Sequence, residues 1–457
     1  MSAKTETNVR SLPSPGQSSA VSPLSGLPTL VLDTALCIII SAVGLFVRLP
    51  NYMVVPAITD ESREVALAIE ILRNGAHPLI GVDAYNGPLY QYLLALAFRL
   101  FGLSVEMPRL FILFIGVLTV AVTYVLARIW AGPLAGLIAA LLMAFSGVHI
   151  AINSHIAWSN SMTPFFTTLA AVPFALAGRE LRTPNTASLA RVRWYLPLGG
   201  FLFGLALQTH PSAIALGLGL VLWFVSNRNT RALLRTPYPY FAILFALFAY
   251  SNVILYNVQM MNDPNNSLAA AMRREYAYSP AATLPEYSSR VLARGIELTR
   301  MLAPSFGASQ NPLRYLANPY FSMTLLVVLL GLAYTARRSS SLPLGTLAIS
   351  FALFPFLVRR DNFPIESRYL SFLLPLCYVS VGILVGDVLK RLVTGKRGVV
   401  LRWGFAGMLL SIPVAWDLHA WSDLNAYYNF LLTNGPNNST LLRVVEESRG
   451  LPEPVWI

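Results

Sequence analysis

The chain has 457 residues, of which 55% are hydrophobic and 12% charged, about half the charged share of a soluble protein. That balance excludes a soluble multi-domain enzyme and a disordered chain. Two cysteines, Cys37 and Cys377, both inside apolar runs, exclude a disulfide framework and a CxxC zinc or redox motif.

The first residues, 1–29, are rich in Ser, Pro, Thr and Gly and read as a disordered cytoplasmic tail. Apolar runs able to become membrane helices follow at 30–48, 108–129, 131–149, 161–178, 195–209, 212–226, 238–257, 320–336, 341–358, 368–389 and 401–418, about eleven spans when each needs about 20 mostly apolar residues. His210-Pro211 interrupts the weakest pair, where proline breaks a helix. The first run is too long for a cleaved signal and Arg48-Leu49-Pro50 is no small-residue cleavage site, so it stays as an anchor.

The formal charge of +12 is a topology signal rather than a nucleic-acid footprint. With the N-terminus inside, the cytoplasmic segments hold Arg128; Arg179, Arg182, Arg191 and Arg193; Arg228, Arg231 and Arg235; Arg337 and Arg338; and Lys390, Arg391, Lys396, Arg397 and Arg402, while most carboxylates fall on the other side. The same assignment makes His210-Pro211 an outer turn between two short helices. Residues 49–107, 258–318 and the tail 419–457 form long outer segments, so function is expected on the outer face. The core, 30–418, is expected to be one all-α integral membrane domain.

In the first outer segment, Val65, Ile69 and Leu72 recur at helical spacing and Asn74-Gly75 supplies a C-cap, predicting a short amphipathic helix on the membrane surface. A turn with Asp83, Tyr85 and Asn86 leads to a second helix from Pro88 to Phe101-Gly102, with Leu89, Leu93, Leu96 and Leu100 as its apolar stripe. Asp60, where the first span meets the surface helix, is an N-cap, a carboxylate facing a cavity at the membrane boundary, or both. Tyr85, Tyr90 and Tyr92 either stack on a sugar or anchor the helix at the interface.

Further along, His149, Asn153 and His155 make a poor metal set and suit structural or substrate hydrogen bonding. His210, at the helix break, is a capping or turn residue. Arg359, Arg360, Asp361, Glu366 and Arg368 form a charged loop close to the bilayer, costly there unless paired or functional. Arg273, Arg274 and Tyr276 are alternatives in the long outer loop.

The Asp60-Glu61 pair after the first span, the surface helix, and the stretch Gly87-Pro88-Leu89-Tyr90-x-Tyr92-Leu93 through Phe101-Gly102 resemble the GT-C glycosyltransferases, specifically the protein O-mannosyltransferase-like group that includes the bacterial aminoarabinose transferases. Met107-Pro108-Arg109-Leu110 and Ser367-Arg368-Tyr369-Leu370 with Leu374-Pro375 extend the resemblance over roughly residues 30–390. It departs from the group at Asn86-Gly87-Pro88, where some relatives have Lys-Pro-Pro, and at His155, where relatives often have arginine.

The resemblance implies a GT-C-type fold of about eleven spans in the cell (inner) membrane. It implies transfer of a sugar, with inversion, from a polyprenyl-phosphate donor to a lipid, glycan or protein acceptor on the non-cytoplasmic face. Asp60 is then the base, and Glu61 orients it or binds acceptor. Arg368, held by Glu366, is the phosphate ligand, with Arg273, Arg359, His155, His210, Tyr85 and Asn86 as further donor contacts. No cofactor is required by this chemistry, although a divalent metal ion, with Asp60 and Glu366 as ligands, is compatible with it. The partners implied are the lipid-linked donor, the acceptor and membrane lipids, with no nucleic acid. The rival readings are a lipid-linked-sugar transporter or flippase, and an O-antigen ligase or polymerase. The first predicts charges in mid-span and the second one dominant late outer loop; the early Asp-Glu segment fits neither.

Overall fold

The computed structural model describes residues 27–53, 59–182, 186–226, 228–276, 281–305, 316–357, 367–393 and 398–434. Each expected apolar run is helical there. The helices are α1 (Leu27–Arg48), α2 (Thr59–Asn74), α3 (Leu89–Phe101), α4 (Met107–Ala131), α5 (Pro133–Phe145), α6 (Gly147–Asn153), α7 (Thr163–Glu180), α8 (Thr186–Thr209), α9 (Ile214–Ser226), α10 (Arg228–Leu233), α11 (Tyr238–Ala249), α12 (Ser251–Gln259), α13 (Leu268–Tyr276), α14 (Leu284–Leu302), α15 (Phe321–Arg338), α16 (Leu342–Leu357), α17 (Ser367–Leu370), α18 (Leu373–Leu392) and α19 (Gly398–Asn434). A two-residue antiparallel pair, Pro304–Ser305 with Leu316–Ala317, is the sheet structure among these residues.

Five helical stretches are long and apolar enough to cross a bilayer, and up to seven if each bent pair, α5 with α6 at 60° and α11 with α12 at 61°, is one span. The protein is therefore an all-α, multi-pass membrane protein. Around His210 the chain forms two helices, α8 and α9, joined by a 3-10 turn at Pro211–Ala213. The expected tail 419–457 begins instead as helix, since α19 runs unbroken to Asn434. Residues 1–26 and 435–457 lie outside the described residues.

The centre of the bundle is α4, α5, α7 and α18. Leu374, Val379 and Ile383 of α18 are fully buried, as are Ile138 and Met143 of α5. At the periphery Ile38, Ile39 and Phe46 of α1 and Met323 and Leu330 of α15 are largely exposed, the outward apolar surface that lipid covers. Helices approach closely where both sides are small. A Cβ on Gly200 of α8 would lie 1.9 Å from the Ala242 carbonyl oxygen of α11, and one on Gly382 of α18 would lie 2.4 Å from that of Ala135 in α5. Buried hydroxyls inside helices return to their own backbone, as Thr123 Oγ1 does to the Thr119 carbonyl at 2.7 Å.

The bend between α5 and α6 releases carbonyls, and Arg48 at the end of α1 meets them. Its guanidinium donates to the oxygens of Ala144 (2.8 Å) and Met143 (3.1 Å), to Ser154 Oγ (3.1 Å), and lies 3.1 Å from His149 Nδ1. This accounts for His149 as a structural residue.

Polar contacts sort the connecting segments into two groups. At one end Arg128 pairs with Asp33, Arg338 and Lys390 with Asp387, Asn229 with the Leu181 carbonyl and Arg402 with that of Val393. At the other, Asn257 reaches the Ala84 carbonyl, Arg290 that of Pro355, Trp416 that of Pro304, and Asn51 contacts Asn425. No contact among these joins a segment expected inside to one expected outside. Single cysteines at positions 73 and 273 should accordingly react with a membrane-impermeant thiol reagent from the outside of intact cells, and ones at 191 and 231 only after permeabilisation. Labelling of positions 73 and 191 from the same side would contradict this alternation.

Candidate active site

The surface helix α2 does not present its apolar stripe outward. Val65, Ile69 and Leu72 pack with the buried Ala68 against a core formed with Tyr90, Leu94 and Phe98 of α3. The same packing carries two carboxylates into the protein, Glu61 and Glu64, each 6% exposed. They lie three residues apart on neighbouring turns of one helix face, and both face the segment between α6 and the 3-10 turn Ser159–Met162.

Glu61 forms a two-bond ion pair with Arg109 of α4 (Nε to Oε1 3.2 Å, NH2 to Oε2 2.9 Å) and accepts the Ala157 backbone N–H at 2.6 Å. Arg109 also donates to the Tyr52 carbonyl at 3.2 Å. Glu64 accepts the Ser159 N–H (2.7 Å), the Ser159 hydroxyl (2.9 Å) and Gln91 Nε2 (3.3 Å). The phenol of Tyr90 donates to the Ala157 carbonyl at 3.1 Å. Residues 157–159 are thus held from both sides while Trp158 and Asn160 project to a cleft.

That cleft is lined by Glu64, Asp83, Tyr85, Asn86, Trp158, Asn160, His210, Arg368 and Tyr369, with a free volume of about 40 Å³. Five separate stretches of sequence meet in it. The Asn86-Gly87 corner is fixed because the Gly87 N–H donates to the Gln208 carbonyl at 2.9 Å, and a Cβ on Gly87 would lie 2.4 Å from Gln208 Oε1. The Arg368 guanidinium is placed over the rings of Trp158 (4.5 Å) and Tyr369 (4.7 Å) and donates to the Tyr369 hydroxyl at 2.5 Å. Aromatic faces support its charge. Tyr369 in turn stacks on His210, centroids 4.9 Å apart and planes at 24°, and Tyr85 meets His210 edge-on at 6.4 Å.

Burial, and then the charge of Arg368, hold the His210 imidazole well below its usual range, so the ring is neutral. Its Nδ1 accepts the Ser212 N–H at 3.1 Å, which leaves the ring proton on Nε2. A second, apolar cavity of about 130 Å³ shares the His210–Tyr369 pair with the cleft; Ile214, Leu353, Phe354 and Leu370 wall it, and Arg294 also lines it.

Of the residues singled out from sequence, Arg368, His210, Tyr85 and Asn86 come together in the cleft. Glu61 does not line it; the ion pair to Arg109 and the Ala157 N–H engage its oxygens. His155 is also withdrawn, 1% exposed, with Nε2 donating to the Arg48 carbonyl at 2.8 Å; burial pushes its pKa down to about 3. Tyr90 is fully buried and neither stacks on a ligand nor anchors an interface. Arg273 is exposed on α13, whose Ala271 and Met272 pack beside Tyr85. Asp60 stands in the first turn of α2, one turn before Glu64; its side chain, Glu366 and Arg359 lie outside the described residues. Among the described residues no group of three or more His, Cys, Asp or Glu is arranged to hold a metal ion.

Sequence reasoning missed Glu64, Asp83, Trp158, Asn160 and Tyr369 as site residues. Glu64 carried a signal, being four residues after Asp60 on a helix. Trp158-Ser159-Asn160 carried only its position as a polar break between two apolar runs.

The sequence model of the dolichyl-phosphate-mannose-protein mannosyltransferase family matches residues 84–256, the stretch from the Tyr85-Asn86 corner through α12. A search of curated protein sequences gives no match. Among solved structures the fold matches ArnT from Cupriavidus metallidurans bound to undecaprenyl phosphate, at TM-score 0.60 and 16% identity over 93% of this chain and 81% of that one. The apo form of ArnT matches at TM-score 0.57 and 15% identity, with the same coverage. The oligosaccharyltransferase of Archaeoglobus fulgidus, tethered to an acceptor peptide, matches at TM-score 0.53 and 16% identity over 92% of this chain and 57% of that one, so this chain spans little more than half of that protein.

The Glu61–Arg109 pair generates a stability prediction. Glu61→Gln and Arg109→Gln should each lower stability by about 3–5 kcal/mol, since either leaves a buried charge alone, and the double variant should lose clearly less than the sum. Thermal unfolding of purified protein in detergent measures this, and additive losses would contradict the pairing. The chain thus shares the membrane-helix fold of ArnT, and its residues 84–256 match the dolichyl-phosphate-mannose-protein mannosyltransferase family model.

Proposed function

We propose that the protein transfers a sugar from a polyprenyl-phosphate donor to an acceptor on the non-cytoplasmic side of the cell membrane, with inversion at the sugar's anomeric carbon. The observation that carries this reading is the pairing of a polar cleft containing one aromatic-clamped arginine with an apolar cavity across a shared two-ring wall. Such a pair suits an amphiphile whose sugar, phosphate and isoprene units are joined in that order. The ArnT structure in complex with undecaprenyl phosphate and the Archaeoglobus oligosaccharyltransferase in complex with a dolichol-phosphate show the fold holding such carriers in other proteins. The two sorted groups of connecting segments support a cytoplasmic N-terminus and eleven alternating crossings, with the cleft on the outside.

In this reading the acceptor, a hydroxyl of a lipid, glycan or protein, attacks the anomeric carbon while the bond from that carbon to phosphate oxygen breaks. The hydroxyl proton passes to the Asp60 carboxylate. The departing polyprenyl phosphate keeps the electron pair and gains negative charge, which the Arg368 guanidinium stabilises; its planar fork matches two phosphate oxygens and stays charged in a dry site. Phosphate is already a good leaving group, so one base suffices. Glu64 and Glu61 act through the backbone they hold. Where a divalent ion takes part, Asp60 and Glu366 are its proposed ligands.

The test is transfer in detergent from synthetic short-chain polyprenyl-phosphate sugars, normalised to folded protein. Asp60→Asn should lose about 100- to 10,000-fold in rate. Arg368→Lys, which keeps charge but loses the fork, should fall between wild type and Arg368→Ala. Near-wild-type turnover by Asp60→Asn would return Asp60 to a helix cap. Wild-type turnover by Arg368→Ala, with loss in Arg273→Ala or Arg359→Ala, would move the phosphate contact to another outer position.

A further inference from the structure

Among the described residues, three polar side-chain atoms around the cleft find no hydrogen-bond partner: Asn86 Oδ1, Asn160 Oδ1 and Trp158 Nε1. Their residues are 8%, 6% and 2% exposed. Each such atom withdrawn from water is costly, and these three lie on residues that line one cleft. Trp158 is held by its backbone between Glu61 and Glu64 and by Arg368 over its ring, and Asn86 is fixed by the Gly87 docking described above. The framework therefore keeps these groups beside the cleft although none of the described residues satisfies them. The free volume there, about 40 Å³, holds a few waters that an entering sugar displaces.

The chemistry of the group is selective. Two neutral amides and one indole N–H complement hydroxyls, which both donate and accept. The anionic groups beside them, the carboxylates of Glu64 and Asp83, oppose a further carboxylate. The cation of the cleft, Arg368, lies over the Trp158 ring and against Tyr369; the proposed function assigns it to phosphate, whose charge answers it.

Building on the proposed function, we propose that Trp158, Asn160 and Asn86 are the specificity-determining residues for the transferred sugar, reading the hydroxyls of an uncharged ring and excluding a hexuronate. A site built to hydrogen-bond a hydroxyl discriminates strongly against an analogue that lacks it, because its own polar groups stay unpaired.

The experiment reads occupancy of the cleft without turnover. Saturation-transfer NMR on the full-length protein in detergent, with methyl hexopyranosides and the matching methyl hexuronides as probes, should show hexoside binding and uronide binding weaker by roughly a hundredfold. Trp158→Phe, which keeps a ring under Arg368 but removes the N–H, and Asn160→Ala should each weaken hexoside binding roughly five- to tenfold, with an unchanged melting temperature establishing the fold. Asn86→Ala replaces either variant that fails that criterion. In parallel, polyprenyl-phosphate hexose should outcompete the corresponding hexuronate as donor. Equal binding of hexoside and uronide by the wild type, or wild-type hexoside binding by the folded variants, overturns the proposal. Selective hexoside binding without transfer from any polyprenyl-phosphate donor leaves this assignment standing and overturns the proposed function instead.

Discussion

Residues 157–159 are irregular backbone enclosed by helices, and their amides have to be satisfied where water does not reach. Two carboxylates of α2 do this, Glu61 at Ala157 N–H and Glu64 at Ser159 N–H, at 2.6 and 2.7 Å. Charged acceptors make such bonds short and strong, and Arg109 balances the first of them. Everything at the cleft depends on this suspension. It positions Trp158, which supports the Arg368 guanidinium, which binds the Tyr369 hydroxyl, whose ring stacks on His210. The early outer segment and the last charged loop, some three hundred positions apart in the chain, are thereby coupled through one short stretch of backbone.

The electrostatics of the cleft follow from the same arrangement. Arginine between two aromatic rings stays charged and loses little to solvent, while the neutral His210 beside it adds no second cation. The carboxylate of Glu64 accepts from Ser159 and Gln91 and lines the cleft. The site thus separates one fixed positive charge, a ring of neutral polar groups, and an apolar cavity behind the Tyr369–His210 wall. In the proposed reading these three suit, respectively, the phosphate, the sugar it carries on one side and the isoprene it carries on the other.

Sequence revealed the bundle because apolar run length is decided by the bilayer, and all the runs read from it are helices. It revealed the break at His210-Pro211 because proline cannot continue a helix. It revealed α2 as an amphipathic helix but not the partner of its apolar stripe, since Val65, Ile69 and Leu72 have the same spacing whatever they meet; the buried Tyr90, Leu94 and Phe98 supply that partner. Glu61 looked catalytic as neighbour of Asp60, yet adjacent helical residues point about 100° apart, and Arg109, 48 positions later, claims it. His155 looked like a donor contact because relatives often carry arginine there, but in this chain Arg48 fills the interior beside it. Trp158 and Asn160 were hidden for the opposite reason: their role comes from two carboxylates nearly a hundred positions earlier, and no local pattern encodes that distance.

In the proposed function one cleft, sharing a wall with one apolar cavity, receives a lipid-linked sugar. An electron cryo-microscopy map of the protein in nanodiscs with saturating undecaprenyl phosphate tests it most directly. Phosphate density should lie within charge-assisted hydrogen-bond distance of Arg368, about 2.7–2.9 Å, with the first isoprene units passing the His210–Tyr369 pair into the cavity walled by Leu353 and Leu370. Phosphate bound to a different cation, with the cleft beside Trp158 and the apolar cavity both vacant, would contradict it.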